Sequence, residues 1–372
     1  MGLNKVAVVA SAQTQLRPAW NGAQHIDLIS SVVASVFKGS GLTLDDVDFI
    51  IDSGSDVLDG RSISNCGFLG ALGAHHKEEA RVEEDGLWAA LYGVNKIRSG
   101  ASAIGLIVAY SKPSESNIDA YWSSQCEPFY QRPVGFGQRA ATGIQAQRYL
   151  AANAVSDRDL ADLVARRWAA GADKGDVLID TLPDVDAILG SGEAAAPLTR
   201  LMLSRPVDGA VAILIATEDV ARRSGGNPVF ITGMGASIDT HSFADRSADG
   251  LSSAQKAAHM AYGKAGWSDA KADIAEISAS SAVGELLVIE GLGLAEKGKG
   301  LAAASDGRVA INQSGGALPA DPIMATGLIR LAEATKQLSQ PALYGGGSPT
   351  RAIVHGAGGV GMQNNCVFTL EV

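Results

Sequence analysis

The last residues of the chain, IVHGAGGVGMQNNCVFTLEV from Ile353 to Val372, set a titratable imidazole beside a run of glycines. Gly356, Gly358 and Gly361 spell G-x-G-x-x-G behind an apolar run, the spacing of a dinucleotide-binding loop. That chemistry needs a helix opening from the last glycine and a further strand with an acid roughly 20 residues on. Only eleven residues follow Gly361, and Val367, Thr369 and Glu371 alternate with Phe368, Leu370 and Val372 as they do in a strand. The segment therefore reads as strand, glycine turn, strand. It serves either as a tight turn between paired strands or as backbone whose N–H groups face a bound oxygen. His355, just ahead, titrates near neutrality and can exchange protons with a substrate; its other reading is a core histidine bonded to backbone. Two phenols could also move protons: Tyr344 in ALYGGGSPT, and Tyr262 in AAHMAYGKAG, whose other reading is an ordinary core aromatic.

Metal chemistry has little support. Cys66, Cys126 and Cys366 are far apart, and no C-x-x-C or Cys/His cluster suggests zinc. His75 and His76 are adjacent but have no third ligand near them in sequence, which favours a surface pair. Neither a metal nor a nicotinamide is expected. The net charge of −10 argues against nucleic acid and anionic membrane as partners. The opening KVAVVASAQT is too short an apolar run for a signal peptide, and no stretch approaches the length of a membrane span. The odd cysteine count suits a reducing cytosol, so a cytoplasmic protein is expected.

These groups need a scaffold, and the chain writes one twice. KVAVVASAQT, then DLISSVVASVFKGSGLTLDDVDFIIDSGS, reads as strand, helix with a glycine end at Gly41, acidic segment and strand. NPVFITGMGAS, then SSAQKAAHMAYGKAGWSDAKADIAEISASS, repeats that order, with the helix ending at Gly266. A third unit, DGLWAALYGVNKIRSG followed by AIGLIVAY, matches MATGLIRLAEATKQL followed by RAIVHG. Strand and helix alternating twice over imply a duplicated, layered α/β/α fold with mostly parallel strands and a site between the halves. The expected organisation is a first half of residues 1–111 with 202–225, an inserted cap of 112–201, and a second half of 226–372. In the cap, Arg166 and Arg167 could meet phosphates or could simply be solvated helix surface.

Several segments together resemble the thiolase superfamily, closest to its sterol-carrier-protein type: RPVDGAVAILIAT, AGWSDAKADIAEIS, GELLVIEGLGLAEKGKG, INQSGGALPADPIMATG and HGAGGVG. The pattern around Asn312, Gly315, Gly316, Pro322 and Gly327 is the most specific of these. The resemblance implies a thiolase-like α/β/α/β/α fold with an inserted loop domain. It also implies that Gly358 and Gly359, with Gly316, supply oxyanion and substrate-binding backbone. Thiolases place a nucleophilic cysteine at the N-terminus of a buried helix, where the helix dipole lowers the thiol pKa. Alignment puts that position at Glu83, with Asp85-Gly86 in place of the usual Ser-Gly. The histidine of the family's G-H-P falls on Asp321, its Asn- or His-led loop on Ser278 to Ser281, and its last cysteine on His355, where the sterol-carrier type also carries histidine.

Without the cysteine, standard thiolysis has no acyl carrier. Retro-aldol cleavage of a β-hydroxyacyl-CoA needs only a base, a pocket for the enolate and an acid. The chain resembles the steroid side-chain aldolases, a branch of the superfamily that has lost the cysteine and works with a small zinc-ribbon OB-fold partner. The resemblance thus implies an acyl-CoA lyase needing no cofactor beyond its coenzyme A thioester substrate, and a homodimer. His355, Tyr344, Asp321, Glu83 and Tyr262 are the candidate acid and base groups. The alternatives are a non-catalytic thiolase-like subunit and a thiolase or acyltransferase using one of the three cysteines.

Overall fold

The computed structural model describes residues 4–372. Two halves share one topology. In the first, β1 (Val6–Gln13), β2 (Phe49–Ser53), β3 (Glu78–Val82), β4 (Ile104–Ser111) and β5 (Gly209–Thr217) lie in the order β3-β2-β4-β5-β1. In the second, β6 (Val229–Ile238), β7 (Ile274–Ile277), β8 (Ala310–Ile311), β9 (Arg351–Gly358) and β10 (Asn364–Glu371) repeat it as β8-β7-β9-β10-β6. β2 runs parallel to β3 and β4, and β7 parallel to β8 and β9; the last strand of each half returns antiparallel. β1 and β6 join the halves through only two residue pairs, Ala7 with Phe230 and Val8 with Val229.

Helices α1 (His25–Val36), α2 (Gly86–Arg98), α3 (Ile118–Ser124), α4 (Gln138–Ala152), α5 (Asp157–Asp173), α6 (Ser252–Ala265), α7 (Ala282–Gly291) and α8 (Thr326–Ser339) complete five layers. α1 turns a stripe of Leu28, Ile29, Val32, Val33 and Val36 onto the outer face of the first half. It ends at Val36, before the glycine at Gly41, because Gly39 already adopts a positive φ. α6 does end as expected, on left-handed Gly266. Each half covers its strands with helices on both faces, so strands such as β4 and β5 are buried along nearly their whole length and do not alternate apolar with polar.

α2 and α8 form the central layer, and their buried side chains join both halves in one cluster that includes Leu87, Val94, Leu328 and Leu331. They meet closely because Gly86 has no side chain: a Cβ there would lie 2.7 Å from that of Leu328 and 2.8 Å from that of Ala109. The segment between β4 and β5, with α3, α4 and α5, packs on the second half, where Tyr149, Leu163 and Trp168 share a core with Leu286 of α7. Each large apolar side chain so buried contributes about 1.5–3 kcal/mol. The glycine segment near the C-terminus is a tight turn between antiparallel β9 and β10, so no dinucleotide loop forms.

Candidate active site

Both helices of the central layer start at one place, at the strand ends of the second half and beneath the segment that carries α3, α4 and α5. A cavity of about 830 Å³ opens there. Its floor is the end of β9, Ala357 to Gly359, with Ser278 and Ser280 after β7, and Asp321 and Thr326 at the start of α8. Trp122, Trp168, Ile118 and Ile323 make apolar walls, and Arg139 and Arg200 also line it. The Ser278 and Ser280 hydroxyls and the Trp168 indole nitrogen are buried without a protein partner. Buried polar atoms are rarely left so, and three lining one cavity mark where a ligand's polar atoms fit.

Two acids line the cavity, Asp119 with an exposed side chain and Asp321 in the interior. The Asp321 carboxylate accepts from the Ser204 and Thr326 hydroxyls, each at 2.7 Å. Burial raises its pKa, and the two hydroxyl contacts oppose the rise.

Asp85 occupies the helix start itself. One carboxylate oxygen accepts the Leu87 N–H of α2 at 2.9 Å, and the other accepts the Gly327 N–H of α8 at 2.7 Å. A single side chain thus caps two helices from different halves of the chain. Burial pushes its pKa up to about 8, with the charges of Glu84 and Asp321 adding to the rise. The two positive helix ends that could activate a thiol instead face an internal carboxyl group.

Glu84, not Glu83, turns toward the glycine turn. Its carboxylate packs against Gly358 and accepts from Asn364 Nδ2 at 2.5 Å. Burial raises its pKa as well. Glu83 points away, with its side chain 48% exposed, pairing with Arg81 at 2.7 Å and accepting the Asp56 N–H at 2.9 Å. Glu83, expected at the site, therefore lies outside the cavity, because the chain bends at Glu83 and Glu84 after β3 ends at Val82 and turns the Glu84 side chain inward in its place.

The remaining candidates separate clearly. His355 is fully buried behind the cavity wall, on the same face of β9 as Ala357. Asn365 gives its amide protons to Ser253 Oγ and the Met362 carbonyl, which turns Asn365 Oδ1 to His355 Nε2 at 2.8 Å. Nε2 therefore carries the proton, and Nδ1 is a buried lone pair without a partner. Burial pulls the His355 pKa down to about 4, against the Asn365 contact. The ring is neutral at pH 7, and its expected place at the substrate is corrected to one layer behind it.

Tyr262 is also a correction: its hydroxyl donates to the Leu292 carbonyl at 2.8 Å and its ring stacks on Trp267, away from the cavity. Tyr344 sits in a surface turn, donates to Glu333 at 2.7 Å and lies under Lys174, also outside the cavity. Gly316, at φ +67°, shapes the turn around Asn312 and does not line the cavity, whereas Gly358 and Gly359 do. Arg167 is buried against Glu285, with Nε at 2.8 Å, and Arg166 donates to Ser305, so neither is placed at the cavity for a phosphate. None of the three cysteines lines the cavity: Cys66 is exposed, and burial raises the thiol pKa of Cys126 and Cys366. His75 and His76 lie exposed on a loop, and among the described residues no group of three His, Cys, Asp or Glu side chains is placed to hold a metal. No helix among them is long and apolar enough to cross a membrane.

Sequence reasoning missed Glu84, Asn364, Ser204, Thr326 and Trp168. Only Glu84 left a signal, as the second of two adjacent acids before the helix.

Residues 235–370 match the family described as thiolase C-terminal domain-like. The benzoylsuccinyl-CoA thiolase subunit BbsB of Thauera aromatica is 25% identical over 226 residues, which is 58% of this chain and 59% of that one. An acetyl-CoA acetyltransferase of Methanocaldococcus jannaschii is 24% identical over 357 residues, 91% of each chain. Among solved structures, the Ltp2-ChsH2(DUF35) aldolase superposes with a TM-score of 0.83 at 16% identity, covering 99% of this chain and 98% of that one. Human mitochondrial 3-ketoacyl-CoA thiolase gives 0.76 at 16% identity, covering 100% and 99%. At such identities the structural likeness establishes the fold. Together with the family match over residues 235–370, it supports a thiolase-superfamily protein.

Proposed function

We propose that the chain cleaves a carbon–carbon bond of a β-hydroxyacyl-CoA by a retro-aldol step and releases a shorter acyl-CoA. One observation carries this reading: the helix start that would activate a thiol is capped by Asp85, and no cysteine lines the cavity. The cavity instead offers groups suited to proton transfer and to an oxyanion. Asp321, when ionised, accepts the substrate hydroxyl proton. The bond between the α- and β-carbons then breaks, and charge develops on the thioester oxygen. The backbone around Gly358 and Gly359, with the unpaired Ser278 and Ser280 hydroxyls, offers donors for that charge. A cavity of about 830 Å³ with two tryptophans in its walls suits a bulky ring-bearing acyl group. Arg139 and Arg200 supply positive charge for the phosphates of coenzyme A.

The second reading is a non-catalytic subunit of an acyl-CoA-processing complex. It is favoured by the names of two relatives, one called a thiolase subunit and one an aldolase of two named components. A small zinc-ribbon OB-fold protein is the partner proposed under either reading, and a homodimer is proposed through the open edge of β3. The test is incubation of the chain, with and without such a partner, with steroid-like and aromatic β-hydroxyacyl-CoA esters, following acetyl-CoA and propionyl-CoA by mass spectrometry. Release of a short acyl-CoA together with a carbonyl product supports the lyase. Thiolysis of a β-ketoacyl-CoA that iodoacetamide abolishes would replace it with the thiolase reading.

A further inference from the structure

We propose that Glu84 hands a proton to the α-carbon of the enolate, and that Asn364 positions it. This assignment rests on the retro-aldol reading and names the group that completes the reaction.

The placement begins with the backbone. Glu84 stands two residues ahead of α2, and the Ser53 hydroxyl at the end of β2 donates to its carbonyl. Its side chain takes space that Gly358 leaves free: a Cβ on Gly358 would collide with Glu84 Oε1. Gly358 lines the cavity and pairs across the sheet with Asn364. The Glu84 carboxyl and the Asn364 carboxamide, both half-buried, thus stack against Gly358, the one of the three that lines the cavity. Asn364 Nδ2 donates to Glu84 Oε2 at 2.5 Å, while Asn364 Oδ1 is buried without a partner.

A carboxamide in that position serves both charge states of an acid. Its nitrogen donates to a carboxylate, and its oxygen, with the amide turned over, accepts from a carboxylic acid. Arg81, the nearest cation in sequence, is committed to Glu83, Asp52 and their neighbours. Burial favours the protonated form of Glu84, and the Asn364 contact opposes it.

The step balances. Ionised Asp321 takes the hydroxyl proton as the bond between α- and β-carbons breaks, leaving a carbonyl compound. The bonding pair moves onto the thioester as an enolate. The Glu84 acid proton then bonds to the α-carbon, giving the shortened acyl-CoA. One proton is taken and one given, nothing is oxidised, and the two carboxyls reset by exchanging a proton with water.

The reverse of the last half-step supplies a test that needs no aldol substrate. In D2O the full chain is incubated with propionyl-CoA, and deuterium at the α-carbon is read by mass spectrometry. Wild-type protein is expected to exchange that hydrogen. Glu84→Gln, which preserves shape and the bond to Asn364, is expected to exchange about 10²-fold more slowly, the usual scale for a lost positioned acid or base. Asp321→Asn is expected to block cleavage of the β-hydroxyacyl-CoA while still exchanging. Asn364→Ala removes the donor that holds the Glu84 pKa down, so it is expected to move the acidic limb of the exchange rate to higher pH, which a merely structural role would not do. Exchange by folded Glu84→Gln at the wild-type rate overturns the role of Glu84 alone. Absence of exchange in wild-type protein that does cleave the ester also overturns it. Absence of both activities overturns the retro-aldol reading.

Discussion

Replacing Asp85 by alanine removes the cap of two helices at once, and the structure sets the size of the effect. The Leu87 and Gly327 N–H groups, held at 2.9 and 2.7 Å, both lose their acceptor in a buried setting. A lost N-cap costs about 1 kcal/mol, and a buried N–H left unpaired about 1–3 kcal/mol, so two together come to about 2–4 kcal/mol. Unfolding entropy near 2.1 cal/mol/K per residue makes 1 kcal/mol worth about 1.3 °C in a chain of 372 residues, so Tm should fall by about 3–5 °C. The effect should also depend on pH. The folded pKa of Asp85, about 8, lies above its ordinary value, so the folded chain holds a proton that the unfolded chain has released. The stability linked to that proton is fully present below the ordinary aspartate pKa and is lost as pH rises towards 8, at up to about 1.4 kcal/mol per pH unit. The Tm deficit of Asp85→Ala should therefore be largest near pH 5 and shrink toward pH 9, as read by calorimetry across that range. Asp85→Ser, whose hydroxyl can still accept from one helix, should fall between wild type and alanine. A variant as stable as wild type at pH 5, or a deficit that grows with pH, would refute the double-cap account.

Other outcomes are expected. Tyr262→Phe and Tyr344→Phe should leave turnover within a few-fold of wild type, because neither hydroxyl reaches the cavity; a large loss in either would return that phenol to the site. His355→Ala should lower stability by about 1–3 kcal/mol through the Asn365 carbonyl oxygen left without its donor, without moving the pH–rate profile between pH 6 and 8, where wild-type His355 is already neutral. Turnover against pH should be bell-shaped, rising as Asp321 ionises and falling as Glu84 ionises, with both limbs above the usual carboxylate range. A profile flat from pH 4 to 8 would exclude this pair.

The duplicated topology was legible because apolar strands and helix periods recur in the same order in both halves. The glycine turn at Gly358 and Gly359 was legible because too little chain follows for a helix. The acids were read less well. Asp321 lines the cavity as the alignment implied, but Glu83 and Glu84 differ by one position, and only the backbone direction before α2 decides which side chain turns inward. His355 looked reactive because its type titrates near neutrality; burial, which single residues do not announce, makes it a neutral hydrogen-bonding group. Ser204, Thr326 and Asn364 are ordinary polar residues in sequence and acquire meaning only through long-range contacts.

The ion cluster around Arg81 marks how the two copies of the repeat have parted. Its guanidinium meets Asp52, Asp56, Asp59 and Glu83 beside the end of β2, and lies where a side chain on Gly54 would go. In the other copy the matching strand end is Ser278 to Ser280, open to the cavity. One strand end is filled with salt bridges and the other is left hollow. Drift at Ser53–Ser55 is thereby constrained by thermal survival, whereas drift at Ser278–Ser280 is constrained by what the hollow must accept. Substitutions at Ser278–Ser280 can thus change what the cavity accepts without loosening the ion cluster around Arg81.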